Sequence, residues 1–145
     1  MRILIANDTY YPHRNGCSYF TQRLAFYLQK RGHRILVVAP SKTMHQGFYS
    51  HNGIRIFGLR SIPTLFYKNF RIAPQLLFIT KSLKKAIKEF DPEVVHIQGH
   101  FFICSTVLKI VKKLGIPVVG TNHFMPDNLT PYLHLPNKVD NIIHK

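Results

Sequence analysis

Arg2-Ile-Leu-Ile-Ala-Asn7 and, one helix-length later, Arg34-Ile-Leu-Val-Val-Ala39-Pro40 decide the fold class of this chain. In each, the apolar residues run without polar alternation and are stopped by a polar residue or a proline. A strand with one solvated face alternates apolar and polar residues, whereas a strand covered on both faces does not. Between the two runs, Cys17–Arg31 sets Phe20, Leu24, Tyr27 and Leu28 at helical spacing, and Gly32 stands where a helix C-cap belongs. Strand, crossover helix, parallel strand is the unit this predicts.

The same alternation continues outward from this unit. Gly53–Leu59 is a third strand, reached through a polar loop, and Ser61–Pro74 is an aromatic-rich connection with two prolines. Gln75–Phe90 reads as a helix with Leu76, Thr80, Leu83, Ile87 and Phe90 on one face. Pro92 opens a fourth strand, Glu93–Ile97. Phe101–Leu114 follows as a helix striped by Ile103, Val107, Ile110, Val111 and Leu114 and closed by Gly115. Ile116–Thr121 is the fifth strand, and Asn122–Lys145, rich in Pro and Asn, presents no convincing element. The fold class is therefore α/β: a Rossmann-like parallel sheet of order 3-2-1-4-5 with helices on both faces. Ligands in such sheets bind past the C-terminal strand ends, at the switch between the first and fourth strands. That geometry selects three segments: Asn7–Gly16, Gln98–Phe102 and Asn122–Asp127.

Composition narrows the function. At 145 residues, with 46% hydrophobic and 18% charged, the chain fits one globular domain. Its apolar runs are far short of the roughly 20 residues that span a bilayer, and Ile3–Ala6 is too short for a secretion signal, so a cytoplasmic protein is expected. Lys plus Arg number 20 against 6 acids, a net charge of +14 that favours anionic partners: nucleic acid, acidic lipid or phosphorylated small molecules. Lys81, Lys84, Lys85 and Lys88 share one helix face and Lys109, Lys112 and Lys113 another, each readable as a solvated outer face or as a surface for an anionic membrane. No RNA-binding signature accompanies them, which makes nucleic acid the least favoured partner. Cys17 and Cys104 lack CxxC spacing, so reduced thiols are expected.

Several chemistries lack their residues. No GxGxxG follows the first strand, and the sequence has no GxxxxGK[ST] and no GxSxG, which argues against dinucleotide oxidoreductases, P-loop enzymes and acyl hydrolases. Asp91 and Glu93 would be the best metal pair, but they start the fourth strand, at the edge opposite the switch. His96 and His100 are four apart without a helix to align them. His96 reads as a strand histidine within an apolar run and His100 as a residue open to the site; no metal is expected. What remains is Asn15-Gly16-Cys17-Ser18, where a loop turns into a helix. Free N–H groups and the helix dipole suit a diphosphate there, and a glycine admits its close approach, although the same residues also make an ordinary turn and cap.

Taken together, Met1–Pro12, Asn15-Gly16 opening a helix, Gly32–Pro40, Asp91-Pro-Glu-Val-Val-His96-Ile-Gln98 and Ile116-Pro-Val-Val-Gly-Thr-Asn-His123-Phe124 resemble the N-terminal half of family-4 glycosyltransferases of the GT-B fold. The resemblance implies half of a GT-B molecule, with a donor-binding domain lying well beyond Lys145 and this domain itself incomplete. It also implies retaining, metal-independent transfer of a sugar from a nucleotide-diphosphate donor to a sugar or lipid acceptor, with no cofactor besides that donor. A peripheral position at an anionic inner membrane face is compatible with it. By matching motif, Gly16 lies near the donor phosphates and His123 faces the transferred sugar as the catalytic residue. Asn15, Gly16, Cys17, His100 and Asn122 are the expected substrate-binding residues. Where the family's first loop often carries paired glycines, this chain has Asn15-Gly16-Cys17. A basic binding module without catalysis, for membrane or nucleic acid, is the rival expectation.

Overall fold

Residues 1–43, 45–63, 71–73 and 77–123 are described by the computed structural model, those at 77–79 by their backbone alone. The elements run β1 (Arg2–Ala6), α1 (Gly16–Lys30), β2 (Arg34–Pro40), β3 (Gly47–His51), β4 (Ile54–Leu59), β5 (Ile62–Pro63), β6 (Arg71–Ile72), α2 (Leu77–Phe90), β7 (Val94–Ile97), α3 (Phe102–Lys113) and β8 (Val118–Gly120). Six strands make one sheet in the order β3-β4-β2-β1-β7-β8. The last five of these are parallel neighbours, which is the order 3-2-1-4-5 expected from the sequence.

The sheet also corrects that expectation. β3, read as a polar loop, pairs antiparallel with β4 from Gly47↔Gly58 to His51↔Ile54. Its residues alternate between half-buried and exposed. An edge strand needs only one apolar face, so Gly-Phe-Tyr-Ser-His carries no continuous apolar run to announce it. Within the 61–74 connection, β5 and β6 form a two-stranded ribbon, with the Arg71 guanidinium donating to the Ser61 hydroxyl (2.7 Å) and carbonyl (2.6 Å). The aromatics Phe66, Tyr67 and Phe70, the stripe residue Leu76 and the loop residues 124–127 lie outside the described residues.

Alternate residues of each strand build two cores, because successive side chains leave a strand on opposite faces. Ile3, Ile5, Ile35, Val37, Ile54 and Ile56 face α1; Leu4, Ala6, Leu36 and Val38 face α2 and α3, meeting Leu83, Ile87, Ile103, Val107 and Val111. Of the predicted stripes, Leu83, Ile87 and Phe90 of α2 and Ile103, Val107, Ile110 and Val111 of α3 are buried, while Thr80 and Leu114 are half-buried. The stripe of α1 is not buried: Phe20 is 43% and Tyr27 55% exposed. Ser18, Thr21 and Ala25 face the sheet instead, fully buried, with Leu24 and Leu28 half-buried beside the core. Those three small side chains let the helix axis lie close to the strands and leave no depth for a ring. Gly32 and Gly115 take φ of 84° and 69° after α1 and α3, the left-handed caps that glycine adopts without strain. No described helix is long and apolar enough to cross a membrane.

Candidate functional site

Three chain segments converge where β1, β7 and β8 end. The first opens α1. Asn15 is its N-cap, and its Oδ1 accepts from the Ser18 N–H at 2.8 Å and from the Thr9 hydroxyl at 3.2 Å. Asn7, just past β1 and almost fully buried, donates from Nδ2 to Thr21 Oγ1 (2.7 Å) and to the Cys17 carbonyl (3.4 Å), fixing the first turn of α1 to the end of β1. Gly16 is exposed, and a Cβ built there meets no atom within 4 Å. The approach to the backbone at Gly16 is therefore open on the side where a Cβ would stand. Cys17 turns the other way. Its Sγ donates to Asn7 Oδ1 (3.4 Å) and the Gln98 carbonyl (3.7 Å), and burial pushes its thiol pKa up, so the side chain joins loops rather than meeting a ligand. Only the backbone of Cys17 remains available for the binding role expected of it.

The second and third segments follow β7 and β8. His123 lies between Gln98, which opens one of the three segments selected at the switch, and Phe20, to which the sequence assigned no site role. Its Nε2 is 2.8 Å from Gln98 Oε1, and its ring lies 4.8 Å from that of Phe20, tilted by 57°. Gln98 is 2% exposed; its backbone N–H donates to the Ala6 carbonyl at 2.9 Å. Phe20, misread as core, is the outward residue of α1 that reaches the site. His96 is half-buried, not sealed in the core, and its Nε2 bonds Thr121 Oγ1 at 2.8 Å, holding the strand end that leads to His123. Burial, and then the neighbouring His123, keep His96 below the ordinary histidine pKa. Asn122 is exposed between Thr121 and His123.

His100 is exposed and stacks on Phe101, ring centroids 4.7 Å apart. Beside it, Asp8 performs a task the sequence did not suggest. The N-cap of α3, Phe101, has no side chain to cap with, and the Asp8 carboxylate accepts from the Ile103 N–H (2.6 Å) and the Cys104 N–H (3.4 Å) instead. Burial outweighs those bonds and raises the Asp8 pKa. Signals for Asp8 and Gln98 existed only in their places just after β1 and β7.

At the opposite edge, Arg2 engages both carboxylates once considered for a metal, Asp91 at 3.1 Å and Glu93 at 3.8 Å. Among the described residues no three His, Cys, Asp or Glu gather as metal ligands. Lys81, Lys84, Lys85 and Lys88 are all exposed on the outer side of α2, with Lys85 3.7 Å from Glu89.

Comparison with known proteins places this geometry. Alpha-monoglucosyldiacylglycerol synthase of Acholeplasma laidlawii is 30% identical over 133 residues, which is 92% of this chain and 32% of that protein. The protein of the same name from Streptococcus pneumoniae is 26% identical over 92% of this chain and 29% of its own length. GDP-mannose-dependent alpha-mannosyltransferase of Mycobacterium tuberculosis is 26% identical over 83% of this chain and 31% of that protein. The chain thus spans about a third of the length of these relatives. Sucrose-phosphate synthase of Thermosynechococcus elongatus, a GT-B structure, superposes with a TM-score of 0.64 over 99% of this chain and 39% of its own, at 9% identity, a likeness of fold. Residues 14–145 match Glycosyltransferase Family 4, and the chain belongs to that family.

Proposed function

We propose that the protein carrying this chain moves a sugar from a nucleotide-diphosphate donor to a lipid acceptor, with retention at the anomeric carbon and without a metal, and that this chain is its acceptor-side domain. One observation carries the reading: the open N-terminus of α1 at Gly16 and the imidazole of His123 share one sheet edge, coupled through Phe20 and Gln98. The names of the relatives support the chemical classes: GDP-mannose as the donor in one case, and a monoglucosyldiacylglycerol as the product in two.

Departure of the diphosphate builds negative charge on its oxygens and positive charge on the sugar ring. Backbone N–H groups at the start of α1 oppose the first with fixed dipoles that need no reorganisation. His123 orients the sugar by a hydrogen bond. Asp8, the carboxylate nearest the switch, has both oxygens committed to α3, which leaves it poorly suited as a covalent nucleophile. A front-face route, with the leaving phosphate taking the acceptor's proton, is the mechanism that fits these residues. The lysines of α2 then serve attraction to an anionic membrane surface.

The test is transfer by the longest protein that contains this chain, given GDP-mannose or UDP-glucose with diacylglycerol or its monoglucoside in vesicles. Transfer with retained anomeric configuration in the presence of a chelator is expected, with His123→Ala lowering turnover on the order of 10²-fold. No transfer from any sugar nucleotide, or unchanged turnover in His123→Ala, overturns the reading.

A further inference from the structure

We propose that Gln98 is a positioning residue that holds His123 as a single neutral tautomer, with the proton on Nε2 and the lone pair on Nδ1. An amide oxygen can only accept, so with Oε1 of Gln98 turned to the ring at 2.8 Å the hydrogen of the pair lies on His123 Nε2. In a neutral ring Nδ1 is then the acceptor, suited to receive a hydrogen bond from a hydroxyl.

The amide is a fixed reference for that choice. Gln98 is 2% exposed, its N–H is bonded to Ala6 O, and its carbonyl accepts the Cys17 thiol at 3.7 Å, so its backbone is tied to β1 on one side and α1 on the other. Phe20 bounds the His123 ring, and His96, the adjacent imidazole, is engaged with Thr121. The Gln98 amide nitrogen has no partner among the described residues although it is buried. A glutamine kept for packing alone is readily replaced by an apolar side chain that leaves no donor unpaired. Turning the amide over would present its N–H groups to His123, strip Nε2 of its proton and place the proton on Nδ1. The two orientations therefore predict opposite tautomers.

This proposal rests on the reading of His123 as the residue that contacts the transferred sugar, but its test does not involve turnover. Long-range 1H–15N correlation spectra of the 145-residue chain, without ligand and at a pH where the imidazoles are neutral, report each tautomer from the separation of the two ring nitrogen shifts. His123 is assigned by the signals lost in His123→Gln. The expected wild-type result is an Nε2–H ring with widely separated shifts. In Gln98→Leu and Gln98→Met, both without an acceptor, the two shifts should draw together as the tautomers exchange, while backbone amide spectra show the fold retained. An Nδ1–H ring in the wild type overturns the proposal, as do His123 shifts unchanged in a folded Gln98 variant. If both variants unfold, the wild-type spectrum decides alone. A chain with the expected tautomer whose parent transfers no sugar keeps this inference and loses the catalytic one.

Discussion

Asp8 joins β1 to α3 through two buried N–H groups, and its removal should be felt in the fold before it is felt in any activity. Asp8→Ala leaves both donors without an acceptor, and a loss of about 1–3 kcal/mol in chemical denaturation is expected. Asp8→Asn keeps an oxygen for Ile103 and should lose less. A Tm for Asp8→Ala equal to wild type would remove the capping role. Gly16 is the contrary case. Its φ is not left-handed and its Cβ direction is open. Gly16→Ala should therefore change stability by less than about 0.5 kcal/mol, and any effect should appear in donor affinity. The thiols follow from burial: Cys17 and Cys104 both lie above the ordinary thiol pKa, so at pH 8 alkylation by iodoacetamide should be slower for each than for a free peptide cysteine. Labelling of the native chain at the peptide rate would show that the burial is wrong.

At the scale of elements, the parallel strands and their helices were legible because burial on both faces writes itself as an unbroken apolar run. β3 was not legible, and neither was the turned-out face of α1, where Tyr19, Phe20, Phe26 and Tyr27 are exposed while Ser18, Thr21 and Ala25 are inside. Periodicity locates apolar residues but cannot say that a close helix–sheet approach will choose small ones over aromatic ones. The same limit hid half of the site. Gly16, Gln98 and His123 all stood in recognisable motifs, but the contacts of Gln98 and Phe20 with His123 join segments distant in sequence. β3 itself depends on a tight fit: a Cβ at Gly58 would lie 2.7 Å from Tyr49 Cε1 and 3.2 Å from Ser41 Cα. Gly58→Ala should cost about 1–3 kcal/mol, since the Ser41 backbone cannot give way as a ring can. A neutral result in urea titration would mean that β3 shifts freely against β4.

For the molecule as a whole, pH acts through histidines that the fold keeps neutral. Burial lowers His13 and His96 below 6.5, so the unfolded chain binds their protons first. Their contribution to stability is complete above that value and is lost as pH falls through the folded-state values. Asp8 has the opposite sign and lower range: its folded pKa is raised above 3.8, so the native state is favoured by protonation once the pH drops into the window above that value. Urea midpoints measured from pH 8 to pH 5 should fall, and His96→Gln should flatten the fall; midpoints independent of pH over that span would show these rings are solvated. The helices bring a last consequence, one of handling. Among the described residues α1 is the one helix on its side of the sheet, while α2 and α3, with seven outward lysines between them, lie together on the other. The chain therefore carries a built-in grip: adsorbed on a sulfonated bead through those lysines, it presents α1 to the solvent, with the strand ends and the exposed Gly16 left open at its rim.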